Sequence, residues 1–285
     1  MGWGRYPMRL SGKWIVRLVA LVVAIAVGVG AGYLLWGRAK DWYDVANPAT
    51  LPAGEENDLI RYGHDLIVET AANIGKSARN PALAYAGNDL NCTNCHINAG
   101  LRPFSAPLVS TYTTYPMMTD DRVLTLAERI NGCMTRSMNG KPLPEDGREM
   151  QAFIAYMRYI GLGSPEGVRV AGMGLMPLKP PAEDPSAARG EAVYAENCAR
   201  CHGADGKGSP AEPPQVGYAV PPLWGDDAYN AAAGMADIRT AAAFVRANMP
   251  DGITWLDPML SEQQAWDVAA YMDSKPRPPR PPAQD

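Results

Sequence analysis

The chain has 285 residues, 47% of them hydrophobic and 20% charged, enough for two modest domains and too ordinary in composition for wholesale disorder. Its formal charge of -4 excludes nucleic acid as the partner, because phosphate binding needs a concentrated cationic surface; any anion site has to be local.

Residues 18–36, LVALVVAIAVGVGAGYLLW, run for 19 residues without a charge, long enough to span a bilayer. Arg5, Arg9, Lys13 and Arg17 lie ahead of this run, so the positive-inside bias places the N-terminus in the cytoplasm and the body of the chain across the membrane. Tyr33 and Trp36 suit an interfacial belt, and Gly37-Arg38-Ala39 is a poor cleavage site. Residues 1–40 therefore read as an N-terminal transmembrane anchor holding the body on the periplasmic side of the bacterial inner membrane. The alternative is a cleaved signal segment that releases a soluble periplasmic protein. Either way the five cysteines face an oxidising compartment.

Residues 41–56, with Pro48, Pro52 and Gly54, read as a tether, and residues 163–185, interrupted by five prolines, as a linker. They frame two segments, 57–162 and 186–274, followed by a Pro-rich tail, 275–285, expected to be extended and unpacked. The two segments repeat one plan. Each opens with a helical stretch, NDLIRYGHDLIVETAANIG or SAARGEAVYAEN, and then gives Cys-x-x-Cys-His, CTNCH at 92–96 and CARCH at 198–202. A proline-leucine pair follows, then a short helix, then a closing helix. Asp146 with Glu149 and Ser261 with Gln264 have capping-box spacing at the start of the closing helices. Sheet-like alternation is missing, so both segments are expected to be all-α.

Cys-x-x-Cys-His is the attachment pattern of c-type haem: two thiols on one helical turn add to the two vinyl groups, and the adjacent imidazole binds the iron. A zinc site would use the paired cysteines without needing a histidine after each, and a redox disulfide belongs in a βαβ context that is absent. Two covalent haem c groups are expected, on Cys92 and Cys95 with His96, and on Cys198 and Cys201 with His202. The third histidine, His64, shares a helix face with Ile60 and Ile67 and reads as a packed residue.

The second segment, with CARCHGADGKG, VPPLWG, ANMP and LSEQQAWDVAAYM, resembles a class I cytochrome c domain over nearly its whole length. In that family the sixth iron ligand is a methionine ahead of the last helix, which favours Met249, with Met235 and Met259 as competitors. A backbone carbonyl near Pro221 or Pro222 is expected to accept the proximal imidazole proton. The internal repeat then locates the ligand of the first haem: Cys133 lies 13 residues before Asp146, as Met249 lies 12 before Ser261. The odd cysteine occupies the axial position. A thiolate there lowers the iron's reduction potential, whereas a thioether raises it. Met134 and Met138 are the alternatives.

YAGNDLNCTNCHINAG, then ERINGCMTRSMNG, then a second cytochrome c segment with ANMP, together resemble the dihaem thiosulfate dehydrogenase family over residues 57–274. The resemblance implies two class I cytochrome c-like domains in tandem, with His96 and Cys133 on one haem and His202 and Met249 on the other. It also implies oxidation of thiosulfate to tetrathionate, with electrons passing from the Cys-ligated to the Met-ligated haem and on to a soluble or membrane redox carrier such as a cytochrome c. Arg129 and Ser137, four residues either side of Cys133, match the family's site residues. Two thiosulfate dianions repel, and fixed cations in a shielded cleft offset that repulsion; Cys133 can bond substrate sulfur once it leaves the iron. Arg102, Arg122 and Arg136 are further cations close in sequence. One departure stands out: the family's Tyr-Pro-x-Tyr-Arg stretch reads Tyr115-Pro116-Met117-Met118-Thr119 here, and Arg122 is the nearest substitute. The competing functions are a membrane-tethered electron relay without substrate chemistry, and the same site acting on another sulfur oxyanion or as a tetrathionate reductase. A relay has no need of Cys133 between Arg129 and Ser137.

Overall fold

The structure is a computed structural model and describes residues 20–23 and 42–279. Of the expected anchor, only residues 20–23 are described, and they are helical; the rest of 1–40 lies outside the described residues. Among the described residues no helix is long and apolar enough to cross a membrane. Residues 42–279 form one compact unit, in which the two repeated segments pack against each other.

The first segment carries α1 (Glu55–Val68), α2 (Thr70–Ile74), α3 (Thr111–Thr114), α4 (Leu126–Arg136) and α5 (Arg148–Ile160). The second carries α6 (Ala187–Asn197), α7 (Ala199–His202), α8 (Ile238–Asn248) and α9 (Glu262–Asp273). Two small antiparallel pairs, β1 (Met117–Met118) with β2 (Val123–Leu124) and β3 (Ser209–Pro210) with β4 (Tyr218–Val220), are the additions to the all-α expectation.

The repeat seen in the sequence is also a packing repeat. α1 crosses α5 at Gly63, where a Cβ would lie 2.0 Å from the Ala152 carbonyl oxygen and 2.7 Å from Tyr156 Cβ. α6 crosses α9 at Gly190, where a Cβ would lie 1.9 Å from the Asp267 carbonyl oxygen and 2.9 Å from Tyr271 Cβ. In both crossings the glycine removes a side chain so that two backbones touch, and an aromatic one turn further along covers the contact. Gly63→Ala is therefore expected to destabilise by roughly 1–3 kcal/mol through overpacking, lowering the melting temperature by about 2–4 °C for each kcal/mol. A thermal melt identical to that of the parent protein would mean that the crossing opens without cost.

The helix starts divide between expectation and correction. At α9, Gln264 N–H donates to Ser261 Oγ at 3.2 Å and Ser261 N–H donates to Gln264 Oε1 at 2.9 Å, the reciprocal box read from the sequence. At α5 no such box forms: the cap is Gly147, and Glu149 is drawn inward to accept from Tyr62 Oη at 3.1 Å. Burial of the carboxylate beside α1 wins over the exposed cap. α4 has a box that the sequence reading missed, Thr125 with Glu128.

Neither proline-rich segment is loose where it is described. The linker pairs with the loop after the first cysteine motif, Phe104 N–H donating to Gly172 O at 2.7 Å and Ala106 N–H to Gly174 O at 2.9 Å. The Trp266 indole donates to Lys179 O at 2.9 Å. The tail, expected to be unpacked, folds back onto the second segment as far as it is described: Gly225 N–H donates to Pro276 O at 2.9 Å, Ala231 N–H donates to Pro278 O at 3.0 Å, and Arg277 stacks 4.7 Å over the Tyr229 ring. Proline lacks the amide donor but keeps a carbonyl, so a proline-rich strand can still be held as an acceptor.

Candidate functional site

The first site is built against the start of α2. Cys92 opens a single 3₁₀ turn (Cys92–Asn94), and its amide donates to Thr70 Oγ1 at 2.9 Å, which fixes the motif against the helix. His96 follows, its Nδ1 hydrogen-bonded to the Ala106 carbonyl. A carbonyl only accepts, so Nδ1 carries a proton, and Nε2 is the nitrogen turned towards the site to bind a metal. Beside it lies a cavity of about 380 Å³ walled by Ile67, Leu108, Ile130, Met134, Phe153 and Met157.

Cys133 stands on the α4 wall of this cavity, in contact with His96. One helical turn earlier, Arg129 Nη1 donates to Cys133 Sγ at 2.9 Å. Burial pushes the Cys133 thiol up, but the hydrogen bond to His96 and the charges of Arg129, His96 and Arg136 outweigh it and bring its pKa down to about 6. Burial instead leaves Cys92 raised to about 12 and Cys95 to about 11. Before haem attachment the local field thus separates one thiolate from two neutral thiols. Ser137, the C-cap of α4, joins Cys133, Cys95 and His96 around a smaller cavity of about 50 Å³.

Of the arginines near Cys133 in sequence, Arg129 lines the main cavity and the others are engaged elsewhere. Arg122 pairs with Glu128, Arg102 donates to Ile253 O, and Arg136 Nε returns to Gly132 O at 2.7 Å. Arg122 does not make good the departure at Thr119, which sits in the turn between β1 and β2 with its hydroxyl donating to Arg122 O at 2.7 Å. The second arginine of the cavity wall is Arg169, from the linker, beside Gly174. Nothing in the sequence marks it, since only the pairing of the linker with residues 104–106 brings it there. His64 lies away from the cavity, its ring edge-on to Tyr156.

The second site repeats the first. α6 ends at the motif, Cys198 caps it and leads into α7, which carries Cys201 and His202, and His202 Nδ1 lies 3.0 Å from the Pro221 carbonyl. Burial holds the His202 imidazole below the usual histidine pKa, against the raising effect of that hydrogen bond, so the ring is neutral and ready to ligate. The cavity here is about 370 Å³, with Leu223, Phe244, Val245 and Val268 in its wall. Met249, immediately after α8, lines it, as do Met235 and Met272. Met259, one of the competitors, is 51% exposed and takes no part in the wall.

Both sites suit a haem: largely apolar walls, the motif cysteines at one edge (Cys198 and Cys201 in the second cavity; Cys92 in the first, with Cys95 in the smaller cavity beside it), and an imidazole oriented through Nδ1 by a backbone carbonyl. They are also neighbours. Leu90, Asn94, Cys95, Tyr229 and Met235 line both the small cavity at the first site and the large cavity at the second. Fold and sites together define a dihaem c-type cytochrome, with two covalently bound haem c groups.

Comparison with known proteins narrows the class. The family model described as "Cytochrome c" matches residues 187–275, and "SoxA/TsdA, cytochrome c domain" matches residues 85–165. The thiosulfate dehydrogenase of Stutzerimonas stutzeri is 38% identical over 247 residues, 86% of this chain and 76% of that protein. The thiosulfate dehydrogenase of Allochromatium vinosum is 35% identical over 236 residues, 81% and 82% respectively. Among solved structures, the thiosulfate dehydrogenase (TsdBA) from Marichromatium purpuratum superposes with a TM-score of 0.71 at 37% identity, covering 80% of this chain and 48% of that one, so this chain spans about half its length. The chain belongs to the thiosulfate dehydrogenase family and is an oxidoreductase.

Proposed function

We propose that the protein oxidises thiosulfate to tetrathionate at the Cys133 face of the first site. The observation that carries this reading is the Arg129–Cys133 pair, a guanidinium 2.9 Å from a buried sulfur held as thiolate. A pure relay gains nothing from that charge pair. The bound haems supply two one-electron acceptors. His96 and Cys133 would hold the iron of the first, in segment 57–162, and His202 and Met249 that of the second, in segment 186–274.

The chain's own groups perform the sulfur chemistry. The Cys133 thiolate joins the terminal sulfur of one thiosulfate, giving a cysteine S-thiosulfonate and releasing two electrons. A second thiosulfate attacks the outer sulfur, forms the S–S bond of tetrathionate and restores the thiolate. Charge and atoms balance without a proton. Arg129 offsets the repulsion between the dianions, and Arg169 adds a second cation to the cavity wall. Ser137 offers a hydroxyl on the other side of Cys133. Electrons leave across the side-chain layer that the two sites share, towards the Met249 site and then a redox carrier such as a cytochrome c. Residues 18–36 support an exported protein, anchored on the periplasmic face, with release by cleavage as the other form.

The direct test is turnover of the dihaem protein with thiosulfate and ferricyanide while both haems are followed optically. Tetrathionate formation with reduction of both haems supports the reading, and absent turnover rejects it. Arg129→Ala is expected to leave the haem spectra in place and lower kcat/KM by on the order of 10²–10³-fold, since it removes charge stabilisation and not ligation. Met249→Gly is expected to lower the potential of the second haem and slow delivery to the acceptor, with thiosulfate binding unchanged, because a thioether stabilises reduced iron. An unaltered potential would move the ligand to Met235 or Met272.

A further inference from the structure

The loop that ends at Ala106, the acceptor for His96, has an unusual backbone. Phe104 has φ +58° and Ala106 φ +51°, both in the left-handed region that costs free energy for any residue with a Cβ. Such a conformation persists only when its surroundings hold it. The linker holds one side through the Gly172 and Gly174 carbonyls.

The second segment holds the other side. Asn248 Nδ2 donates to Phe104 O at 3.0 Å, the Phe104 ring meets Trp255 edge-on at 4.8 Å, and Arg102 reaches Ile253 O. Asn248 is the last residue of α8, immediately before Met249, and is 1% exposed. The same Nδ2 donates to Phe244 O at 3.0 Å, which ties the side chain to its own helix. Its Oδ1 is buried with no partner, a penalty that an apolar residue of similar size would escape. The two donated bonds are the compensating gain.

We propose that Asn248 is a positioning residue that couples the two haem sites: through Phe104 it holds the Ala106 carbonyl against His96, while its own backbone places Met249. An acceptor on Nδ1–H makes the imidazole a stronger donor to iron. Releasing Phe104 lets the strained loop relax, weakens that hydrogen bond and raises the potential of the first haem. The coupling is reciprocal, so displacement of Met249 is felt at His96. This inference uses the two haems and not the identity of the substrate, so it fails or survives separately from the thiosulfate reading.

The test is a potentiometric titration of the dihaem protein, with the haems resolved by their low-spin EPR signals, in Asn248→Leu and Asn248→Asp. Both variants remove the donor to Phe104. The expected result is a rise in the midpoint potential of the first haem with altered g values, although residue 248 lies in the other segment. Asp237→Ala serves as the control: it deletes the N-cap of the same helix, where Thr240 N–H donates to Asp237 Oδ1 at 2.8 Å, and touches nothing at Phe104. It should lower stability and leave the first haem unmoved. Should the Asn248 variants fail to accumulate as dihaem protein, Trp255→Leu removes the ring contact on Phe104 and should give a smaller shift in the same direction. A first haem identical to wild type in these variants, or one shifted equally by Asp237→Ala, overturns the proposal.

Discussion

Cys133→Met is expected to abolish thiosulfate oxidation, by at least on the order of 10³-fold in kcat, while both haems stay attached. Three effects act together. The thioether carries no charge, so Arg129, now 2.9 Å from the sulfur, loses the anion that orients it. It cannot form a bond to substrate sulfur and later leave as a thiolate. As an iron ligand it raises the potential of the first haem. Cys133→Gly removes the same bond-forming atom without supplying a new ligand, so it should also be inactive but spectrally different. The discriminating measurement is tetrathionate formation per haem alongside the optical spectrum. Full turnover in Cys133→Met would leave the protein as an electron relay.

The second large effect is expected from Cys198→Ala with Cys201→Ala. The double variant should carry one covalent haem, seen as the loss of one haem mass in the intact-protein spectrum and half the pyridine haemochrome signal. Removing the haem also leaves a cavity of about 370 Å³ between the second segment's core and the first motif, with Val245, Val268 and Met272 on one side and Leu90, Asn94 and Cys95 on the other. Unfilled cavities of that kind cost on the order of 24 cal/mol per Å³ where they do not collapse, so the protein should be markedly destabilised. Thiosulfate can still meet Cys133, but electrons have no second acceptor, and steady turnover with a protein acceptor should fail. Two haem masses retained in this variant would sink the assignment of CARCH as an attachment site.

Some of this molecule was legible in its residues. Cys-x-x-Cys-His is a local chemical unit: both thiols and the imidazole fall on one turn wherever the chain goes, so sequence alone locates both sites. Ser261 with Gln264 is equally local, and its box forms as read. The placing of Cys133 on the wall facing His96 follows from the repeat, because two segments with the same helix order put the residue before the closing helix on the same side of the cavity. Asp146 with Glu149 failed for the opposite reason. A carboxylate that can reach a buried tyrosine hydroxyl on a packed helix is taken by that long-range partner.

What only the tertiary structure decided is where the long side chains and the proline-rich segments go. Arg102, Arg122, Arg129 and Arg136 look alike in sequence, yet each guanidinium reaches several ångströms from its backbone and its destination depends on which acceptor packing brings near. Arg169 enters the cavity wall only because the linker carbonyls pair with residues 104 and 106. The tail binds through proline carbonyls, which sequence patterns of helix and strand do not register. Local motifs fix the chemistry of each haem site; contacts between distant segments, closed only when both halves fold, fix which charges surround it and how the two sites touch.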